Sequence, residues 1–124
     1  MTAGGSGLRR FGVVLAGVLG AVGVVAAAGA SHAGDERILG ALSLVALTHA
    51  PTVLALALFG AAGRLAQAAL LFIGLGALLF CADLGFRHFA GGALFAMLAP
   101  IGGTAMIVGW LALAASAWTG LVRE

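Results

Sequence analysis

The chain has 124 residues, of which 63% are hydrophobic and only 8% are charged. A soluble domain carries about 25% charged residues and would aggregate with so much apolar surface, so the composition excludes an ordinary soluble protein and favours a membrane protein with the lipid bilayer as its partner. The net charge of +2 comes from scattered arginines without interleaved aromatics, which gives no indication of nucleic-acid binding, and the single Cys81 excludes an internal disulfide.

Four apolar runs are long enough to cross a bilayer as helices, which takes about 20 residues each. They cover residues 11–30, 38–60, 65–82 and 93–117. Because short connections force neighbouring helices to be antiparallel, we expect an all-α fold of four transmembrane helices in an up-down-up-down bundle. The bundle would form a single domain over residues 1–124, which begins with a disordered, Gly-rich segment at residues 1–8.

The first run allows a second interpretation, as a signal peptide. Arg9 and Arg10 precede the run, and small residues at 30–33 resemble a site for cleavage after Ala33, which would leave three spans. The apolar run is longer than the usual signal core of about 7–15 residues. The sequence therefore favours a retained first helix.

Small residues four apart also mark the first helix. The pairs are Ala16 with Gly20 and Gly23 with Ala27. This spacing lets a neighbouring helix approach closely. The alternative is that the pairs only reflect how common glycine is in this chain.

The arginines predict an orientation. Four fall on the side of the two termini (Arg9, Arg10, Arg64 and Arg123) and two on the other side (Arg37 and Arg87). Because basic residues accumulate in cytoplasmic segments, we expect both termini in the cytoplasm.

His49 lies near the middle of the second span, in the segment Leu47-Thr48-His49-Ala50-Pro51. At about 1.5 Å per residue it is roughly 17 Å deep, close to the centre of a hydrocarbon core about 30 Å thick. Pro51 has no N–H and leaves one carbonyl without its usual partner. A titratable group at this depth needs partners from other helices.

The fourth span brings a proline, two glycines and a threonine to a comparable depth: Pro100, Gly102, Gly103 and Thr104. The proline frees a further carbonyl, and the glycines allow another helix to approach or the helix to bend. We therefore predict that a neutral His49 bonds across the bundle to Thr104 or to a freed carbonyl. Three interpretations stay open for this candidate intramembrane polar site: His49 fixes the helix register, it relays protons or binds a ligand, or it faces lipid.

Polar residues also gather where the two connections opposite the termini are expected to meet: His32, Asp35, Glu36, Asp83, Arg87 and His88. Such side chains can bind zinc or copper, but none shows a metal-ligand spacing, and caps and solvated turns explain them more simply. We therefore predict no metal and no cofactor. Asp83 is expected to end the third helix and to pair with Arg87 four residues on.

Four segments carry a further signal. They are Ala28-Gly29-Ala30-Ser31-His32-Ala33, His49 with Ala50 and an aliphatic run, Phe80-Cys81-Ala82-Asp83-Leu84, and Ala99-Pro100-Ile101-Gly102-Gly103 with Gly109-Trp110. In order and spacing they resemble the small bacterial membrane proteins of domain-of-unknown-function family 423, also called uncharacterised protein family 0382. The last is similar to that family's Thr-Pro-Ile-Gly-Gly followed by Gly-Trp. The resemblance implies an uncleaved first helix, four spans and a location in the inner membrane, and it adds no activity.

Two functions remain open from the sequence. The first is a non-catalytic membrane component that packs against a second copy or another membrane protein, as the small-residue helix faces indicate. The alternative is a small transporter or channel for protons, metal ions or a small solute, with His49 and Asp83 on its path. No nucleophile–base pair or phosphate-binding loop is visible in the sequence, so we do not expect an enzyme.

Overall fold

The computed structural model describes residues 3–32, 34–60 and 63–119. Over these ranges the chain forms four helices and no strand, which confirms the all-α, four-helix prediction. The helices are α1 (Ala3–His32), α2 (Glu36–Ala55), α3 (Arg64–Ala90) and α4 (Leu98–Ser116). A π-helical turn, Leu56–Gly60, continues α2. All four helices have the length and apolar composition needed to cross a membrane.

Several boundaries differ from the prediction. The segment expected to be disordered is helical from residue 3, where α1 begins, while Met1 and Thr2 lie outside the described residues. The third helix does not end at Asp83 but continues to Ala90. The fourth helix begins at Leu98 instead of residue 93, so the second polar connection covers residues 91–97.

Pro51 lies inside α2 without ending it. The change in helix geometry comes five residues later, where the π-helical turn begins and the Leu56 N–H contacts both the Thr52 and Val53 carbonyls. Ala61 and Ala62, between the second and third predicted spans, lie outside the described residues. The next helix begins directly after them, with Gly63 at its N-cap.

The helices pack as two hairpins side by side. The α1 helix packs along α2, α3 packs along α4, and contact between α2 and α3 joins the hairpins. Fully buried side chains of the core include Leu19, Val53, Leu70 and Ile73. Within the described ranges, the backbone of α4 approaches α3 alone. The fourth helix therefore forms the edge of the bundle and is its least buried span.

The α3–α4 contact brings backbone atoms of the two helices close together. A Cβ atom added at Gly102 would lie 2.7 Å from the Gly76 carbonyl oxygen and 2.8 Å from the Phe80 nitrogen. One added at Gly109 would lie 2.8 Å from the Ile73 nitrogen. The sequence-based expectation that this part of the fourth span admits another helix is confirmed for Gly102. Gly103 faces open space, with nothing within 4 Å of such a Cβ.

The predicted small pairs of α1 divide between two faces. Ala16 is buried, and a Cβ at Gly23 would lie 2.6 Å from the Leu47 side chain of α2. Gly20 has nothing within 4 Å of its Cβ position, and Ala27 is exposed. One member of each pair therefore lies on the buried face of α1, which follows the three-and-four spacing of Ala16, Leu19, Gly23 and Ala26, and the second member falls outside it.

Candidate functional site

His49 is half-buried on α2 and is hydrogen-bonded through both ring nitrogens. Its Nδ1 lies 2.8 Å from the Val45 carbonyl oxygen, one turn earlier, and 3.1 Å from Thr48 Oγ1. Its Nε2 lies 3.2 Å from the indole Nε1 of Trp110 on α4. A carbonyl only accepts and an indole N–H only donates. The arrangement therefore fits a neutral imidazole that carries its proton on Nδ1 and accepts the Trp110 N–H on Nε2.

Trp110 is the partner across the bundle, and the predicted bond to Thr104 is wrong. The two rings meet edge to face, with centroids 6.0 Å apart and an interplanar angle of 67°. Thr104 is exposed and donates to the Pro100 carbonyl of its own helix at 2.8 Å. Nor does a proline-freed carbonyl bind the imidazole, which contacts Val45.

The wrong partner follows from the wrong start of the fourth helix. His49 lies thirteen residues after the start of α2, and Trp110 lies twelve residues after the start of α4, so the two are at matching depth. A start at residue 93 instead of Leu98 moves Thr104 into this position. Counted from the observed start of α4, the residue at the depth of His49 is Trp110. Its indole N–H can only donate, which suits an unprotonated ring nitrogen of His49.

Below the His49–Trp110 pair, an apolar groove of about 540 Å³ separates α2 from α4. Its walls include Pro51, Leu56 and Phe59 on one side and Trp110 and Leu113 on the other. Thr52 also lines the groove, and its hydroxyl donates to the Thr48 carbonyl at 3.4 Å. The groove therefore offers surface for apolar contact and no converging set of polar groups. Pro51 belongs to it, whereas Pro100 does not line it.

The second candidate site, at the end of the bundle that carries the connections around residues 34 and 91–97, contains a fully buried Asp83. Its Oδ2 accepts a hydrogen bond from Arg87 Nε at 2.7 Å, which confirms the predicted pair. Its Oδ1 accepts the backbone N–H of Leu94 at 3.1 Å. The carboxylate thus ties the α3–α4 connection to α3, and this explains why the helix continues through an acidic residue.

The histidines of the predicted cluster do not join Asp83. His88 Nδ1 lies 2.8 Å from Asp35 Oδ2 and links the ends of α3 and α2. His32 is exposed and has no hydrogen bond or ion pair with a described residue. Among the residues the structure describes, no three His, Cys, Asp or Glu side chains come together to hold a metal ion. The predicted cluster therefore forms two separate pairs, Asp83 with Arg87 and Asp35 with His88, and His32 joins neither.

The buried polar groups of both sites are satisfied by the chain itself. In the described ranges, no buried side-chain nitrogen or oxygen lacks a hydrogen-bond partner. Cys81, buried on α3, lies 3.8 Å from the Leu42 carbonyl of α2 and adds a weak contact between the hairpins. Comparison with known proteins finds no matching family model, no matching curated protein and no matching solved structure. The function has to be inferred from the geometry of these sites.

Proposed function

We propose that the protein is a non-catalytic, multi-pass component of the cell inner membrane that packs through α4 on a second copy or on another membrane protein. The observation that carries the proposal is the position of α4. This helix approaches only α3 with its backbone and is the least buried of the four spans. Its Trp110 side chain reaches His49 of α2, beside an apolar groove.

The free side of α4 has the composition of a helix-packing surface. Ile107 and Leu111 are each more than half exposed, and Trp110 is 43% exposed at the edge of the groove. Aromatic side chains beside apolar pockets are common anchors of protein interfaces. Helices associate in lipid through shape and close packing, because lipid and apolar side chains are equally apolar. A grooved surface of this kind gives a second helix more contact than a smooth one.

The polar groups support this role over conduction. His49 already uses both ring nitrogens, and Asp83 uses both carboxylate oxygens. A proton or ion path needs groups that can exchange partners along a wet route. The groove between α2 and α4 is apolar. The transporter alternative therefore has less support than packing.

The inner-membrane location and the relation to family 423 belong to this proposal. They rest on the four landmark segments of the sequence. Residues of two of these landmarks are in contact, because His49 of the second accepts the indole N–H of Trp110, which belongs to the last.

Site-specific photo-crosslinking in native membranes tests the packing role. A photoreactive residue at Leu111, on the free side of α4, is compared with one at Val25 on α1. The two positions are matched in exposure, at 66% and 72%. We expect a protein-sized cross-linked product from position 111, of twice the chain mass or of another mass, and a much weaker one from position 25. Equal, lipid-only products at both positions would contradict the proposal.

A cysteine scan in a Cys81→Ala background separates packing from conduction. Cysteines replace Thr52 and Leu113, which line the groove. We expect both to resist water-soluble thiol reagents in sealed vesicles. Rapid reaction at both positions would indicate a water-filled path and favour the transporter alternative.

A further inference from the structure

A second cavity, the connection-end pocket, has a polar rim and apolar walls. It has a volume of about 450 Å³ and lies where the start of α2, the end of α3 and the start of α4 meet. Its rim carries Asp35, Arg37 and Arg87, and its walls include Ile38 and Leu84. None of the roles described above uses this space.

Two arginines from different helices face the pocket. Arg37 is exposed and has no hydrogen bond or ion pair with any residue that the structure describes. Arg87 is held in place by the bond from its Nε to the buried Asp83, and the structure assigns no described partner to its two terminal nitrogens. A guanidinium fixed in this way still presents donors in a planar fork, the geometry that suits a phosphate group. Because Asp83 already fixes the side chain, binding costs less conformational entropy.

The position of the pocket in the membrane indicates the source of the phosphate. Arg37 lies in the first turn of α2 and Arg87 in the last turn of α3, so both lie at the same end of antiparallel spans. This is the depth of lipid headgroups, just outside the hydrocarbon. The apolar side chains of Ile38 and Leu84 line the same pocket. They would contact the glycerol and upper acyl region of a lipid, which a free phosphate ion lacks.

We propose that the connection-end pocket binds an anionic phospholipid, with its phosphate between Arg37 and Arg87. This inference goes beyond the packing role of α4. That role is contact with protein, whereas this pocket would contact lipid, on a different surface. The carboxylate of Asp35 also lies on the rim and is hydrogen-bonded through Oδ2 to His88. Its negative charge would repel the phosphate. The site therefore predicts effects of opposite sign for Arg37 and Asp35.

The test uses the full chain, purified in mild detergent and mixed with equal amounts of phosphatidylglycerol and phosphatidylcholine. Native mass spectrometry measures the ratio of the two lipids that stay bound. We expect the wild type to retain phosphatidylglycerol in excess. Arg37→Gln should lower the ratio about fivefold, the effect of losing one basic residue near a lipid surface. Arg64→Gln, at an exposed arginine on the other end of the bundle, should leave it unchanged.

Two further variants sharpen the result. Asp35→Asn should raise the ratio, because it removes the negative charge from the rim. Ala41→Phe fills the pocket with an aromatic ring and should abolish the preference while both arginines remain. Equal ratios for Arg37→Gln and Arg64→Gln, or a lower ratio for Asp35→Asn, would overturn the proposal. Equal retention of the two lipids by the wild type, with inorganic phosphate bound in their place, would do so as well, since the pocket would then bind the bare anion instead of the lipid.

Discussion

The α1–α2 and α3–α4 hairpins both place glycines against a neighbouring helix, but the atoms that these glycines meet differ. Gly23 on α1 faces the Leu47 side chain, whereas Gly102 on α4 faces the backbone of Gly76 and Phe80. A side chain can rotate away from an added methyl group, and a helix backbone cannot do so without moving the whole helix. The same residue type is therefore tolerant of change in one hairpin and intolerant in the other.

The connections of the two hairpins also differ, in their length and in the contact that holds them. Each connection includes a glycine whose φ of 76° favours that residue, Gly34 in the first and Gly91 in the second, and the α1–α2 connection is short. The α3–α4 connection is longer and is held by the Asp83 carboxylate through the Leu94 N–H. Since α4 contacts the rest of the bundle mainly through α3, its placement depends on this carboxylate and on the glycine contact. Four changes test the difference between the hairpins.

The largest effect is expected at the backbone contact. Gly102→Ala should lower the free energy of unfolding by about 3 kcal/mol, at the upper end for overpacking, because its Cβ meets only backbone atoms. Denaturant unfolding of the purified protein in detergent measures this. Gly103→Ala is the matched control, with nothing within 4 Å of the new atom. Equal destabilisation by both changes would contradict the backbone contact.

The next effect is expected at the buried carboxylate. Asp83→Ala should cost about 2 kcal/mol, because it leaves the Leu94 N–H and the Arg87 guanidinium without their acceptor. Asp83→Asn keeps an oxygen for Leu94 and should cost less. The same unfolding assay compares the two. If Asp83→Ala were as stable as the wild type, Asp83 would not be holding the connection.

A smaller effect is expected at the side-chain contact of the first hairpin. Gly23→Ala should cost about 1 kcal/mol, the lower end for overpacking, because Leu47 is 38% exposed and can rotate toward lipid. Adding Leu47→Ala should relieve the crowding, so the double variant should lose less than the two single losses combined. Gly20→Ala on the open face serves as the control. A loss at Gly23 as large as at Gly102 would remove the distinction between the hairpins.

The smallest effect is expected for the hydrogen bond that joins the two hairpins, from Trp110 to His49. A double-mutant cycle with His49→Leu and Trp110→Phe should give a coupling of about 0.6 kcal/mol, typical of interhelical hydrogen bonds in membranes. The unfolding free energies of the two single variants and the double variant supply the coupling. A coupling of zero would show that the Trp110 N–H does not stabilise the bundle through His49.

The sequence was sufficient to predict the helices but not their ends. Hydropathy identifies four spans because each must match the thickness of the bilayer. Asp83 was expected to end the third helix, since a carboxylate is costly in lipid. The structure neutralises it with one side chain four residues on and one backbone N–H eleven residues on. The first partner is visible in the sequence, and the second depends on how the connection folds back.

The intramembrane site shows the same limit. The depth of His49 and its need for a partner on another helix follow from the sequence. The identity of that partner depends on where α4 starts, and a shift of five residues exchanged Trp110 for Thr104. The groove beside the His49–Trp110 pair and the connection-end pocket are formed by side chains from helices that are distant in sequence. Hydropathy does not predict how such side chains pack.

The most direct test of the account is the side of the membrane on which two of the connections and the two ends lie. Single cysteines replace Gly4, Ser31, Gly92 and Thr119 in a Cys81→Ala background, and intact cells are treated with a membrane-impermeant thiol reagent. The account predicts that positions 31 and 92 share one labelling state, outside if the arginine distribution sets the orientation, while positions 4 and 119 share the opposite state. Labelling that separates 31 from 92, or recovery of the chain in the soluble fraction after alkaline washing of membranes, would contradict four helices crossing a bilayer.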